Sequence, residues 1–173
     1  ALGSVSAGVV RAAHCSVLVV KNDQTPPRVL VAVDDSEHAI AAARQLARLE
    51  AKGQLLAIVR VIEPPSIKSL PLLPSSASTL LRSEIEAATR ELERSAKTQV
   101  AELAGEFKRA GWKVQTSVVA GVPMRGIKAM IAKTPATLVS LGARGATGLE
   151  RLLLGSVSEA LLGTPGISLF IGR

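Results

Sequence analysis

The sequence predicts an α/β protein with a doubly wound, parallel five-stranded sheet. From Arg28 onward, short runs of Val, Ile and Leu alternate with longer stretches whose apolar residues recur every three or four positions. Aromatic residues make up only 2% of the chain, so its core must be built from aliphatic side chains. Parallel strands joined by crossover helices account for both observations.

The five strands are expected within residues 28–173. The first is nearly all apolar, as befits a strand covered by helices on both faces. The others are runs rich in β-branched and aliphatic residues, bounded by glycine, proline or polar residues. The predicted strands are 28–34, 54–62, 113–119, 137–141 and 167–171.

Helices are expected between these strands. Ser36 is predicted to cap the first of them, with Leu49 on its buried side, and Gly111 to end the longest. The predicted helices are 36–51, 78–110, 122–133 and one that opens at 155, with a proline-rich loop over 63–76.

An internal repeat sets the expected domain boundaries. Residues 2–6 and 154–158 both read Leu-Gly-Ser-Val-Ser, and the same offset of 152 aligns Ser16 with Ser168. We therefore expect residues 1–21 to be the final helix and strand of a preceding domain. Residues 22–27 would form a linker, and 28–173 a complete domain of ordinary size.

Composition excludes several classes of protein. The net charge of +7 comes from lysines and arginines that are interleaved with glutamates, which favours a solvated basic surface over nucleic-acid binding. Cys15 alone cannot form an intramolecular disulfide or a cysteine metal site, and as the repeat partner of Ile167 it is expected in a core or interface. No leader pattern or uncharged run of membrane-spanning length is found, so a cytoplasmic protein with no membrane partner is expected.

The polar and glycine residues gather where strands are expected to end. Asp34 closes the first strand and Gly142 the fourth, and ligands of open α/β sheets bind at such carboxyl ends. Gly142 and Gly145 lead through nine residues to Gly155-Ser156 at a helix start, where free N–H groups suit a polyphosphate. Each residue alone also has a structural interpretation, as a strand end or a helix cap.

This glycine pattern resembles the ATP-binding branch of the universal stress protein family. The runs Val-Leu-Val-Ala-Val-Asp-Asp-Ser at 29–36 and Leu-Leu-Leu-Gly-Ser-Val-Ser at 152–158 are similar to the family's opening strand and its most recognisable stretch. The resemblance implies a Rossmann-like sheet with strand order 3-2-1-4-5. It also implies pairing through fifth strands, either in a homodimer or between tandem domains. Residues 16–20 are accordingly expected to lie antiparallel beside 168–171.

The resemblance further implies the residues that surround ATP. Ala32 and Asp34 would border the adenosine, Val61 would meet the adenine through its main chain, and Leu141 would pack near the nucleoside. The phosphates would be lined by Gly142, Gly145, Gly155, Ser156, Val157 and Ser158, the two serines offering hydroxyl donors. Asp35 stands where glycine is common, and its carboxylate could repel a triphosphate unless Mg²⁺ intervenes.

The sequence therefore predicts an ATP-binding module of a stress response, whose nucleotide state alters its conformation or partners. The alternative is a universal stress protein that acts through dimerisation and partner contacts without nucleotide. No P-loop, dinucleotide turn or nucleophile elbow is found, and no histidine lies near the glycine loop. We expect no catalytic or metal-binding residues and at most weak ATP hydrolysis.

Overall fold

The computed structural model of the chain describes residues 3–49, 53–65, 75–143 and 154–173, with the backbone alone for 75–80. Helices and strands alternate along the described part of residues 28–173, as the sequence pattern indicates. The elements are α1 (Ser4–Ala12), β1 (Val17–Val19), β2 (Val29–Val33), α2 (Glu37–Ala47), β3 (Leu55–Ile62), α3 (Ser75–Arg109), β4 (Lys113–Ala120), α4 (Pro123–Lys133), β5 (Leu138–Gly142), α5 (Ser156–Leu162) and β6 (Ser168–Gly172).

The strands form one six-stranded sheet in the order β1-β6-β5-β2-β3-β4. Neighbours from β6 to β4 pair in parallel, whereas β1 pairs with β6 antiparallel. The α/β architecture with a mainly parallel sheet is confirmed. The expected sheet of five strands is corrected to six, in the order β1-β6-β5-β2-β3-β4, because residues 17–19 add a strand at its edge. Counted from β2, the five strands of residues 28–173 keep the relative order 3-2-1-4-5.

Helices cover both faces of the sheet, each over its own mainly aliphatic core. On one face Leu30 and Val139 pack with residues of α1, α4 and α5. On the other face Val31 and Ile58 pack with residues of α2 and α3, including the fully buried Phe107. Every residue of β2 and β5 is buried, which explains their unbroken apolar runs. The carboxyl ends of these two central, parallel strands thus lie side by side at one end of the sheet.

The first helix of the predicted domain starts where expected and ends early. Ser36 Oγ accepts a hydrogen bond from the Ala39 amide at 3.2 Å, so the predicted cap is confirmed. The helix ends at Ala47, and Leu49 is 57% exposed, so its predicted burial is wrong. The Leu49 amide bonds to the Leu46 carbonyl, three residues back, and this tighter turn moves Leu49 off the buried stripe.

The long helix α3 has 35 residues and reaches about 52 Å at 1.5 Å per residue. Its second half is buried, through Ala96, Val100 and Phe107. In its first half Ile85 is half-buried and Ala88 is exposed, although both keep the helical spacing. The spacing of apolar residues therefore predicts the helix correctly. It predicts which residues are buried only in the half of the helix that packs on the sheet.

The N-terminal segment packs against the edge of the sheet as the resemblance implies. Val17 lies opposite Ile171 and Val19 opposite Leu169, so the predicted antiparallel pairing is confirmed. Cys15 is exposed, so its predicted place in a core is wrong, because it lies in the turn between α1 and β1 rather than inside either element; its alternative place in an interface stays a prediction. Among the described residues, no helix combines the length and apolarity that a membrane span requires.

Candidate functional site

A cleft of about 370 Å³ opens at the carboxyl ends of β2, β3 and β5, bordered by the start of α5. Segments distant in the sequence meet around it, and they include most of the predicted site residues. Gly145 lies outside the residues that the structure describes, and the ligand role of each residue stays a prediction. The predicted residues that line the cleft are Ala32, Asp34, Val61, Leu141, Gly142, Gly155, Ser156, Val157 and Ser158.

The start of α5 presents backbone donors beside the cleft. Gly155 is its N-cap residue and no side chain caps the first turn. The Gly155 amide donates to the Ala143 carbonyl at 2.8 Å, which ties the helix start to the end of β5. The first amides of a helix lack partners within it, so those of Ser156 and Val157 suit an anionic oxygen.

Ser158 has a different role from the one expected. Its side chain is buried, and its hydroxyl donates to the Gly142 carbonyl at 2.8 Å. A hydroxyl has one proton to donate, so this bond uses the donor that a phosphate would need. The prediction of Ser158 as a hydroxyl donor is corrected: it holds α5 against the end of β5. Ser156 is exposed and keeps the expected position.

Asp34 organises the turn that follows β2. Its Oδ1 accepts a hydrogen bond from the Ser36 amide at 2.9 Å and another from the Ser36 hydroxyl. Its main-chain carbonyl accepts a bond from Gln99 Nε2 of α3 at 3.2 Å. Ser36, and not Asp34, therefore caps α2. Asp34 stabilises the turn and also lines the cleft.

A buried arginine that sequence reasoning did not select lies next to this turn. The Arg60 side chain is 5% exposed, and its Nη2 contacts Asp35 Oδ2 at 2.6 Å. Its Nη1 donates to Gln99 Oε1 at 2.5 Å. The available signal was an arginine inside an otherwise apolar strand, since a buried guanidinium requires a partner of opposite charge. The pair offsets the charge of Asp35 that was expected to repel a triphosphate.

The apolar wall of the cleft depends on one glycine. A Cβ added to Gly126 of α4 would lie 2.7 Å from Val61 Cγ2, closer than such atoms approach. The absent side chain therefore lets α4 pack against the residue expected to meet the adenine. Asp35, which was expected beside the phosphates, and Glu63 also line the cleft. The lining residues that sequence reasoning did not select are Val33, Ala39, Val59, Arg60, Ile62, Leu92, Pro123 and Ile127.

A metal site is not evident in the part of the chain that the structure describes. There, no group of three or more His, Cys, Asp or Glu side chains is arranged to hold an ion. The carboxylates among the described lining residues are those of Asp34, Asp35 and Glu63, and the first two accept hydrogen bonds from protein donors.

Comparison with known families and sequences gives one consistent result. The family model described as the universal stress protein family matches residues 26–171. A universal stress protein of Methanocaldococcus jannaschii is 31% identical over 137 residues, covering 78% of this chain and 75% of the relative. One of Mycobacterium tuberculosis is 31% identical over 187 aligned positions and 99% of this chain. The chain spans only 56% of that relative's length.

Solved structures share the fold. A universal stress protein from Lactobacillus plantarum superposes with a TM-score of 0.62 at 18% identity, covering 87% of this chain and all of the other. One from Archaeoglobus fulgidus gives a TM-score of 0.59 at 26% identity, covering the whole of this chain and 56% of the other. A universal stress protein in complex with cAMP gives 0.53 at 18% identity, over 85% of this chain and 96% of the other.

Proposed function

The chain belongs to the universal stress protein family, and on that premise we propose that it binds ATP and acts as a nucleotide-responsive module of a stress response. One observation supports this above the others. Residues selected from a glycine pattern and two strand ends, far apart in the sequence, line a single cleft. The cleft volume of about 370 Å³ falls in the range of pockets that enclose small molecules.

The two ends of the cleft suit the two ends of a nucleotide. Val61 and Leu141 supply apolar surface for an adenosine, and Asp34 supplies a carboxylate for a ribose hydroxyl. Gly155 and Ser156 begin an uncapped helix, and the described lining residues from β5 and α5 carry no charge. An anionic phosphate is therefore better placed against α5 than against the aspartates.

Binding rather than rapid turnover is the activity we propose. A general base needs a free acceptor close to the attacking water. Asp34 Oδ1 accepts two hydrogen bonds from Ser36, and Asp35 is paired with Arg60. Neither His14 nor His38 is among the described lining residues. Of the described carboxylates at the cleft, Glu63 is the one left to test as a base.

Calorimetric titration with ATP, with and without Mg²⁺, tests this proposal. We expect saturable binding of one nucleotide per chain. Titrations with GTP and with cAMP serve as specificity arms, because GTP changes the base and cAMP retains the adenosine. Phosphate release from bound ATP should stay well below ~1 s⁻¹, the lower end of typical enzyme turnover. Absence of binding by all three nucleotides would reject the proposed site.

A second candidate is a nucleotide-independent protein that acts through partner contacts. The observation that favours it is the antiparallel β1–β6 pairing, in which an edge strand accepts a strand from elsewhere in the chain. The repeat and the greater length of the mycobacterial relatives support assigning residues 1–21 to the end of a preceding domain. Under this candidate, partner contacts would be unaffected by substitutions in the cleft.

A further inference from the structure

We propose that Arg60 sets the preference of the cleft for charged over uncharged adenine ligands, by neutralising Asp35 at its mouth. This inference rests on the proposed function and adds to it a residue that determines specificity. Arg60 is a positioning residue here: it acts on the ligand through Asp35 and not by touching it. Three features of the described residues lead to this assignment.

The first feature is the charge balance of the cleft. Its described lining residues include three carboxylates, those of Asp34, Asp35 and Glu63, and one cation, Arg60. Such a surface is a poor site for a polyanion unless the carboxylates are compensated. Asp35 is the carboxylate that the guanidinium compensates, with 2.6 Å between Arg60 Nη2 and Asp35 Oδ2.

The second feature is the unequal exposure of the two partners. The Asp35 side chain is 63% exposed, whereas that of Arg60 is 5% exposed. A ligand entering the cleft thus meets the carboxylate, while the guanidinium lies behind it. Because a buried charge is poorly screened by solvent, Arg60 continues to lower the negative potential that Asp35 presents.

The third feature is that both terminal nitrogens of Arg60 are already engaged. Nη1 bonds to Gln99 Oε1, and Gln99 Nε2 donates in turn to the Asp34 carbonyl. The guanidinium is therefore held between α3 and the turn after β2, with its other terminal nitrogen on Asp35. This arrangement fixes the ion pair at the cleft rather than leaving the arginine to bind phosphate.

Removing either charge should shift the affinity for ATP relative to adenosine. Without Arg60, the carboxylate of Asp35 is uncompensated and repels ATP more than AMP, and adenosine not at all. Without Asp35, the guanidinium is unpaired and attracts the same anions. Removing both charges leaves a neutral pair of side chains, so the net charge at the mouth of the cleft equals that of the wild type.

The test compares the wild type with Arg60→Met, Asp35→Asn and the double variant, each titrated with ATP, AMP and adenosine. We expect Arg60→Met to lower the affinity ratio of ATP to adenosine about tenfold, with a smaller change for AMP. Asp35→Asn should raise that ratio, and the double variant should return it close to the wild-type value. High salt should shrink both shifts.

Arg44→Met provides the matched control. Arg44 forms an ion pair with Glu106 between α2 and α3, and neither residue is among the described lining residues of the cleft. The substitution removes the same charge from the chain, so it controls for the effect of net charge at long range. The ratio of ATP to adenosine affinity should stay unchanged in this variant.

Other outcomes overturn the inference in distinguishable ways. Equal losses for ATP, AMP and adenosine in Arg60→Met would assign a purely structural role to the arginine. A double variant as weak for ATP as Arg60→Met would mean that Arg60 contacts phosphate directly. If Arg60→Met does not fold, the absence of a raised ratio in Asp35→Asn overturns the inference by itself. A wild-type protein that binds none of the three ligands would instead reject the proposed function.

Discussion

Leu18 lies directly opposite Phe170 in the antiparallel β1–β6 pair, and the two residues hold equivalent positions in the internal repeat. The pairs on either side are also exchanged by the repeat. Val17 pairs with Ile171, and Val19 pairs with Leu169. In the repeat, Val19 is equivalent to Ile171 and Val17 to Leu169, so the repeat converts one pair into the other. The two repeat copies are therefore related by an approximate two-fold axis that passes through the Leu18–Phe170 pair.

Polar contacts obey the same two-fold relation. Lys21 Nζ donates to the Leu161, Leu162 and Thr164 carbonyls at the end of α5. Arg173 is the repeat partner of Lys21, and its Nη2 donates to the Val10 and Arg11 carbonyls at the end of α1. Each cation thus caps the other copy's helix, where the helix dipole favours positive charge. A self-complementary contact of this kind is isologous.

Deleting residues 1–21 should uncover β6 and cause the remaining domain to self-associate. An exposed edge strand with apolar neighbours is a template for a second strand, and here the most suitable one belongs to another copy. Sedimentation at several protein concentrations would measure this. None of these residues is among the described lining residues of the cleft, so ATP binding should be retained. Adding a peptide of residues 1–21 should restore the monomer, and a truncated protein that stays monomeric contradicts the prediction.

Ser156→Ala and Gly155→Val should weaken ATP binding without unfolding the domain. Gly155 has φ −63° and ψ 155°, values that valine adopts readily, so its backbone tolerates the change. Ser156→Ala removes a hydroxyl donor, and losing one charge-assisted hydrogen bond to phosphate should cost roughly 1.5–3 kcal/mol of binding free energy. Gly155→Val keeps its amide, which donates to the Ala143 carbonyl, so it should act through the bulk of the valine side chain at the cleft. Calorimetry on folded protein, verified by circular dichroism, measures this.

The repeat supplies matched controls for these two variants. Ser4 and Gly3 are the repeat partners of Ser156 and Gly155, at the start of α1, and they are not among the described lining residues of the cleft. Ser4→Ala and Gly3→Val should leave the ATP affinity unchanged. If all four variants bind ATP as tightly as the wild type, the start of α5 does not bind phosphate.

Much of the architecture could be predicted because it follows from local patterns. Buried strands such as β2 are continuous apolar runs, and the Ser36 side chain caps α2 by accepting a hydrogen bond from its first turn. The burial of Leu49 could not be predicted, because it depends on a helix that tightens and ends at its last turn. Burial along α3 likewise depends on where the sheet ends, which the apolar period does not encode.

The site could be predicted only in part, for a similar reason. The glycines and Asp34 each belong to a local sequence pattern, whereas Arg60 becomes significant through Asp35 and Gln99, which lie far from it in the sequence. Ser158 illustrates the opposite error. Its type and position suit a phosphate contact, but its hydroxyl donates to the Gly142 carbonyl instead. The residue type shows that a side chain can donate a hydrogen bond, whereas the tertiary structure determines which acceptor receives it.

Gly126→Ala should destabilise the domain and weaken adenine binding together. The new methyl group would lie 2.7 Å from Val61 Cγ2, so α4 or Val61 must shift. Overpacking of this kind typically costs about 1–3 kcal/mol of unfolding free energy. Adding Val61→Ala should relieve the clash and recover stability, as measured by denaturant unfolding. Failure of the double variant to recover would show that the contact is not responsible.

Gly105→Ala in α3 is the control for the effect of alanine in a helix. A Cβ there would lie 3.4 Å from the flexible end of the Arg109 side chain, a contact that moves easily. Because alanine is favoured over glycine inside helices, this variant should be as stable as the wild type or more so. Its ATP affinity should not change.

The last prediction concerns the ion pair between α1 and α5. The Arg11 guanidinium, which hydrogen-bonds to Glu159, holds the pKa of that carboxyl below its ordinary value of 4.5. A carboxyl with a lowered pKa in the folded state stabilises the protein above the unfolded value and loses that contribution as pH falls through the folded value. Protonation in that window should therefore loosen the N-terminal segment from α5.

Glu159→Gln should reduce stability at neutral pH, and its unfolding curve should converge with that of the wild type below pH 4.5, once the folded-state carboxyl is also protonated. Arg11→Met should show the same convergence, since it removes the partner that lowers the pKa. Both side chains are nearly half exposed, so the difference should be small and should shrink in high salt. Thermal unfolding from neutral to acidic pH measures it. A difference that persists unchanged at low pH would assign the effect of Glu159→Gln to packing and not to its charge.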